Sequence, residues 1–100
     1  EFSPAFQTEG FRAYREAKSN RKFDKLIAAI EKLNVAIEND DTLGKGFRIG
    51  HSYFCTERKI DDMWLNAVIT YEIIPLLNEY WFDEPSKVRD WKYVLREAIR

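Results

Sequence analysis

The chain has 100 residues, of which 45% are hydrophobic, 15% aromatic and 33% charged, with sixteen Lys and Arg against seventeen Asp and Glu. A chain of this length builds one core that removes roughly 60 to 65% of its unfolded surface from water, and its apolar content is enough to offset ordering entropy, so a multidomain enzyme and a disordered segment are both excluded. A formal charge of -1 and a pI near 5.9 lack the basic excess of a stand-alone nucleic-acid binder, so any such contact would have to use a local patch. The single cysteine, Cys55, and single histidine, His51, cannot form an internal disulfide or a structural zinc site, which points to a reducing cytoplasm. No apolar run approaches the ~20 residues of a membrane span, and no signal peptide opens the chain. A start at Glu1 rather than Met, in so small a chain, leads us to expect a piece of a larger polypeptide.

Hydrophobic periodicity predicts about four helices. The first runs from about Thr8, a plausible N-cap, to Lys18, with Phe11 and Tyr14 at helical spacing. The second runs from about Arg21 to Glu38, capped by Ser19 or Asn20, with Phe23, Leu26, Ile27, Ile30, Leu33 and Ile37 on one face. Residues 39–46 are turn-rich, and the aromatic run Phe47 to Phe54 reads as one short extended segment. Asp61 or Asp62 caps a third helix carrying Leu65, Val68, Ile69, Ile73, Leu76, Leu77 and Tyr80, kinked or broken at Pro75. Asp83-Glu84-Pro85-Ser86 opens the last helix, which carries Val88, Trp91, Leu95, Ala98 and Ile99. The expected fold is mostly α, a small helical bundle forming a single domain over residues 1–100.

Few residues carry the marks of chemistry. Gly44-Lys45-Gly46 lacks the G-x-x-x-x-G-K-[ST] spacing by which a phosphate loop surrounds its ligand, so it reads as a turn. No nucleophile elbow, zinc-protease helix or cysteine and histidine pair is present, so no catalytic residue is assigned. The densest set of capable groups is Arg48 to Phe54, where Gly50 permits close backbone approach and Arg48, His51 and Ser52 offer donors suited to phosphate or main chain. A histidine satisfied by a local hydrogen bond is the alternative. Glu72 falls on the apolar stripe of the third helix and calls for a partner such as Arg48, His51 or Lys25, while Asn34, on the core face of the second, is expected to bridge backbone groups. The acidic clusters at Glu38 to Asp41 and Asp61-Asp62 read as helix ends and caps, with no metal site assigned. Trp64, Trp81, Trp91 and the run Tyr80 to Phe82 read as core.

The run Leu43-Gly44-Lys45-Gly46-Phe47-Arg48-Ile49-Gly50-His51-Ser52-Tyr53-Phe54 and the run Tyr71-Glu72-Ile73-Ile74-Pro75-Leu76-Leu77-Asn78-Glu79-Tyr80-Trp81-Phe82-Asp83 resemble the C-terminal end of McrB-type proteins. These are the AAA+ GTPase subunits of 5-methylcytosine-specific DNA restriction systems. Phe11, the Phe23-Asp24-Lys25-Leu26-Ile27 stretch and the Leu33-Asn34 pair extend the likeness over nearly the whole chain.

The resemblance implies an AAA+ lid without catalysis of its own. In the parent protein, a GTPase or ATPase motor subunit using GTP (or ATP) with Mg, the lid follows the large AAA+ subdomain, closes over the nucleotide and contacts neighbouring subunits of a hexameric ring. Implied partners are that large subdomain and an McrC-like nuclease, with DNA bound through other domains. Many AAA+ lids present a sensor 2 arginine where this chain has Gly50-His51-Ser52. No arginine follows Ser52 until Arg58, so the implied nucleotide-binding residues are Arg48, Gly50, His51 and Ser52, with Arg48 or His51 facing the phosphates or a neighbour. The competing readings are an autonomous helical protein-interaction module and, below that, a small enzyme using His51 with Glu72.

Overall fold

Helix starts in this chain are set by short polar side chains that satisfy otherwise unpaired first-turn N–H groups. In the computed structural model, which describes residues 9–18, 20–56 and 59–100, Asn20 caps α2 (Arg21–Glu38) by accepting from the Phe23 N–H at 2.9 Å. Asp61 caps α3 (Asp62–Val68) by accepting from the Trp64 N–H at 2.8 Å. Thr8 and Ser19, the other cap candidates, lie outside the described residues. The remaining helices are α1 (Glu9–Lys18), α4 (Ile74–Tyr80) and α5 (Pro85–Ala98). Among the described residues, five α-helices therefore stand where about four were expected.

The extra helix arises within the third predicted one. Leu65, Ile69, Ile73, Leu77 and Trp81 are all buried, one every fourth residue. At 3.6 residues per turn that repeat drifts about 40° per step, which a straight α-helix cannot keep facing one core. A π-helical turn, Ile69–Ile73, takes up the drift, with the Ile74 N–H donating to the Ile69 carbonyl five residues back. Pro75, in the first turn of α4, lacks an N–H and would crowd the Tyr71 carbonyl, so the wider turn sits just before it. The expected break is thus a π turn starting six residues upstream of Pro75.

The same turn overturns the placement of Glu72. One additional residue per turn rotates it off the stripe suggested by Val68 and Leu76, and it is exposed rather than a buried carboxylate seeking a partner. The extended segment is shorter than expected as well. Only Arg48–Gly50 is extended, between 3-10 turns at Lys45–Phe47 and His51–Phe54, and no strand forms among the described residues.

The core is built around α2, whose Phe23, Leu26, Ile27, Ile30, Leu33 and Ile37 are each fully buried. It packs against α5, which in turn packs against α4. Helix α1 lies over the start of α2, with Phe11 and Tyr14 stacked at 5.7 Å, both facing Phe23, and Arg15 paired with Asp24 at 3.1 Å. Asn20 also donates to the Ile60 carbonyl at 2.8 Å, drawing the start of α3 onto the same end.

At the opposite end of α2, Asp40 gathers three elements. It accepts from the Thr42 hydroxyl at 2.6 Å and N–H at 2.9 Å, from the Trp81 indole N–H at 2.8 Å, and from Lys87 at 3.4 Å. Lys87 also lies 5.1 Å from the centre of the Trp81 ring. The Thr42 bonds, then the indole and Lys87, hold the Asp40 carboxyl well below the usual carboxylate range. A carboxyl whose pKa falls on folding contributes stability above its unfolded value, near 3.9, and that contribution is lost as pH drops toward the folded value. Denaturant unfolding should therefore show Asp40→Asn as less stable than the parent at pH 7, with the gap narrowing as pH falls below about 4. A gap that stays constant with pH would mean that Asp40 does not act through its charge.

Candidate functional site

Residues 48–50 have no neighbouring strand to pair with, yet Ile49 is fully buried. Buried backbone groups need partners, and Asn34 of α2 supplies both. Its Nδ2 donates to the Ile49 carbonyl at 2.9 Å, and the Ile49 N–H donates to its Oδ1 at 2.6 Å. The side-chain amide reproduces the donor and acceptor pair of a β-ladder. Asn34 is itself 6% exposed, so the clamp is shielded from water.

With Ile49 fixed, the next residues are presented along an edge of the domain. Gly50 has φ −82 and ψ 163, a conformation open to any residue, and a β-carbon built there would meet nothing within 4 Å. Neither backbone strain nor crowding among the described residues accounts for the glycine; its effect is to leave the backbone without a side chain beside His51. In the following turn Phe54 points into the core, Ser52 and Tyr53 are exposed, and His51 meets Phe11 edge-on at 5.8 Å. Behind it, the Tyr14 hydroxyl donates to the Thr56 carbonyl at 3.2 Å and accepts from the Thr56 N–H at 2.8 Å, tying the end of the turn to α1.

His51, Phe11, Tyr14, Gly10 and Cys55 line a cleft of about 260 Å³. Burial pushes both the Cys55 thiol and the Tyr14 phenol up, so neither is an ionised nucleophile at neutral pH. The Cys55 thiol is directed at the His51 carbonyl, 3.5 Å away. The cleft therefore offers an imidazole, an aromatic wall and bare backbone, with Ser52 exposed beside it. Such a set suits binding better than bond cleavage.

Arg48 is arranged differently. Its Nε donates to the Lys45 carbonyl at 3.0 Å, its guanidinium lies 3.9 Å from Glu38, and its side chain is 14% exposed. Lys45 also lies 3.7 Å from Glu38, so the Gly44-Lys45-Gly46 stretch is a turn braced by an ion pair. Gly44, at φ 92, occupies the left-handed region that favours glycine. Of the four residues assigned to the nucleotide, Gly50, His51 and Ser52 are contiguous on the edge, whereas Arg48 is turned back toward α2. Glu72 lies on the exposed side of the π turn, and no hydrogen bond among the described residues joins it to His51, which leaves the two-residue enzyme without its geometry.

A second surface was not anticipated. After α4 ends, Trp81 turns inward and Phe82 is thrown outward, 80% exposed, against the expectation that the whole aromatic run is core. Phe82, Tyr80, Phe47 and Leu43 line a groove of about 540 Å³ with Glu79 and Asp83 at its rim. Phe47 meets Tyr80 edge-on at 5.3 Å. Tyr14 and Thr56 were missed too, because a bond across 42 positions leaves no local trace in the sequence. Among the described residues, no cluster of three potential metal ligands occurs and no helix is long and apolar enough to cross a membrane.

A chain with these features matches characterised proteins on two counts. Residues 25–89 match the family model described as "McrB, alpha-helical lid domain", a span that holds both the Asn34 clamp and the Gly50-His51-Ser52 edge. The chain is also 41% identical over 98 residues to the type IV methyl-directed restriction enzyme EcoKMcrB subunit of Escherichia coli (strain K12). That alignment covers 91% of this chain and 21% of the relative, so the chain spans about one fifth of the length of the protein it matches. With the family model covering well over half of the residues, and the helical architecture agreeing with its description, this chain belongs to the McrB alpha-helical lid domain family.

Proposed function

We propose that the chain is the C-terminal lid of a McrB-like AAA+ nucleoside triphosphatase, a cytoplasmic motor of modification-dependent DNA restriction, and that it helps to close the nucleotide site and assemble the ring without catalysing hydrolysis. The observation that carries this is the Gly50-His51-Ser52 edge, held at fixed depth by the Asn34 clamp on Ile49, with nothing among the described residues within 4 Å of a β-carbon built on Gly50. His51 and Ser52 would face the phosphates of GTP or ATP, while Arg48 braces the loop through Glu38. Mg would be held elsewhere in the parent, since the edge itself carries no carboxylate. The aromatic groove around Phe82 and Tyr80 supports the assembly role, because an exposed apolar face of this kind marks a contact surface. The large AAA+ subdomain and neighbouring subunits are its proposed partners, with an McrC-like nuclease acting on the assembled ring.

In the full-length parent, His51→Ala should weaken nucleotide affinity by about tenfold or more, the loss of one hydrogen bond to a charged group. Arg48→Ala should act mainly on stability. The measurement is nucleotide binding, hydrolysis rate and ring mass for each variant. If His51→Ala left all three unchanged, the lid role of this edge would be wrong. The same groove also favours a second reading, an autonomous interaction module, which would gain if His51→Ala were silent while Phe82→Ser abolished partner binding.

A further inference from the structure

The chain's balanced charge conceals a strong asymmetry. Residues 85–100 carry five Lys and Arg against two Asp and Glu, whereas residues 1–84 carry eleven against fifteen. On α5 the cations are not scattered. At 100° per residue, Arg89, Lys92 and Arg96 fall within about 60° of one another on the helix surface, and Tyr93 projects from the same stripe. All four are exposed, Tyr93 by 67%, and the core side of α5 is held by Val88, Trp91 and Leu95.

These cations are uncommitted. Among the described residues none of Arg89, Lys92 and Arg96 forms an ion pair, in contrast to Lys87, Lys45, Lys22 and Arg15. Arg96 has one long hydrogen bond, 3.4 Å to the Thr70 hydroxyl. Arg89 and Lys92 form one lip of a groove of about 270 Å³ between α4 and α5, floored by Ile74 and Val88, with the Asn78 amide also on its wall. Tyr71, 74% exposed, lies on the π turn beside Thr70.

We infer that this face of α5 binds the phosphate backbone of duplex DNA, an assignment that does not depend on the nucleotide role proposed above. Charge complementarity selects a polyanion. Arg89 and Arg96 are about 10 Å apart along the helix at 1.5 Å per residue, with Lys92 between them, so successive cations lie one helical turn apart and form a line, as phosphates do. The Asn78 amide lies beside that line, in keeping with backbone contacts that position without reading sequence, while the Tyr93 phenol is hydrogen-bonded to Glu97 at its edge. The contact is therefore non-specific, indifferent to base sequence and to base modification.

The test is fluorescence anisotropy of a labelled 20-base-pair duplex titrated with the 100-residue chain at several salt concentrations, with circular dichroism confirming that each variant folds. Three neutralised phosphates predict a log–log salt slope of about −2.7. The reversal Arg89→Glu, Lys92→Glu and Arg96→Glu should abolish binding, while Lys25→Glu and Lys32→Glu, two exposed charges on α2, should alter it little. Methylated and unmethylated duplexes should bind alike. No binding at 50 mM salt, or binding that survives the triple reversal, would overturn the proposal. Tighter binding of polyglutamate than of duplex DNA would overturn it as well, and would assign the face to an acidic protein surface.

Discussion

Asn34→Leu should destabilise the domain by about 3 kcal/mol, although it replaces one side chain by another of similar volume. The substitution removes both bonds to Ile49 and leaves a buried N–H and a buried carbonyl without partners, each costing about 1 to 3 kcal/mol. For a domain of this size that loss lowers the melting temperature by more than about 10 °C. The effect should not be confined to stability, because the same bonds set the depth of the edge that carries His51.

A second substitution tests the geometry rather than the burial. Asn34→Asp keeps the acceptor for the Ile49 N–H but turns a carboxylate oxygen toward the Ile49 carbonyl. Burial against a carbonyl raises a carboxyl pKa, so folding favours the protonated form, which can again donate. The sign follows: relative to Asn34→Leu, Asn34→Asp should be most stable below about pH 3.9 and lose that advantage as pH rises through its folded value. Using the difference between the two variants cancels the contribution of Asp40, which both retain. Equal stability of the two at every pH would show that the amide pair is not what secures Ile49.

Trp81→Ala should be more damaging still, by about 3 to 5 kcal/mol, because it opens a cavity where the largest fully buried side chain sits. Set against a total stability of about 5 to 15 kcal/mol, this brings the domain close to unfolding. Two effects combine at this residue. The ring fills the junction of α4 and α5, and its indole N–H bonds Asp40 at 2.8 Å. Trp81→Phe, which keeps most of the volume but not the donor, should cost less than half as much in urea unfolding. If the two variants were equally destabilised, the polar bond to Asp40, and not the packing, would be the dominant link.

Much of the architecture is legible in the residues themselves. The α2 stripe, the caps at Asn20 and Asp61 and the helix start at Pro85 are local signals, resting on 3.6-residue periodicity and on side chains that reach N–H groups three residues away. Asn34 could be singled out as a polar residue on an apolar face that must bridge something. Which carbonyl and which N–H it bridges was not readable, because Ile49 is fifteen positions away and only the fold brings the two together. Glu72 failed for a related reason. Its expected burial assumed an unbroken α-helix, and a single wide turn before Pro75 was enough to rotate it to the surface.

What the sequence determined alone is the helical composition, the dominance of α2 in the core and the motifs that carry the likeness to McrB-type proteins. These depend on spacings within one element or on an ordered string of residues. Tertiary structure decided which chemical groups share a surface: His51 with Phe11 in a cleft, Arg48 back against Glu38, Phe82 outward beside Tyr80, and the uncommitted cations of α5 along one exposed face. Net charge and composition average over the whole chain, whereas a binding face is defined by position in space, and position is fixed only when the helices pack.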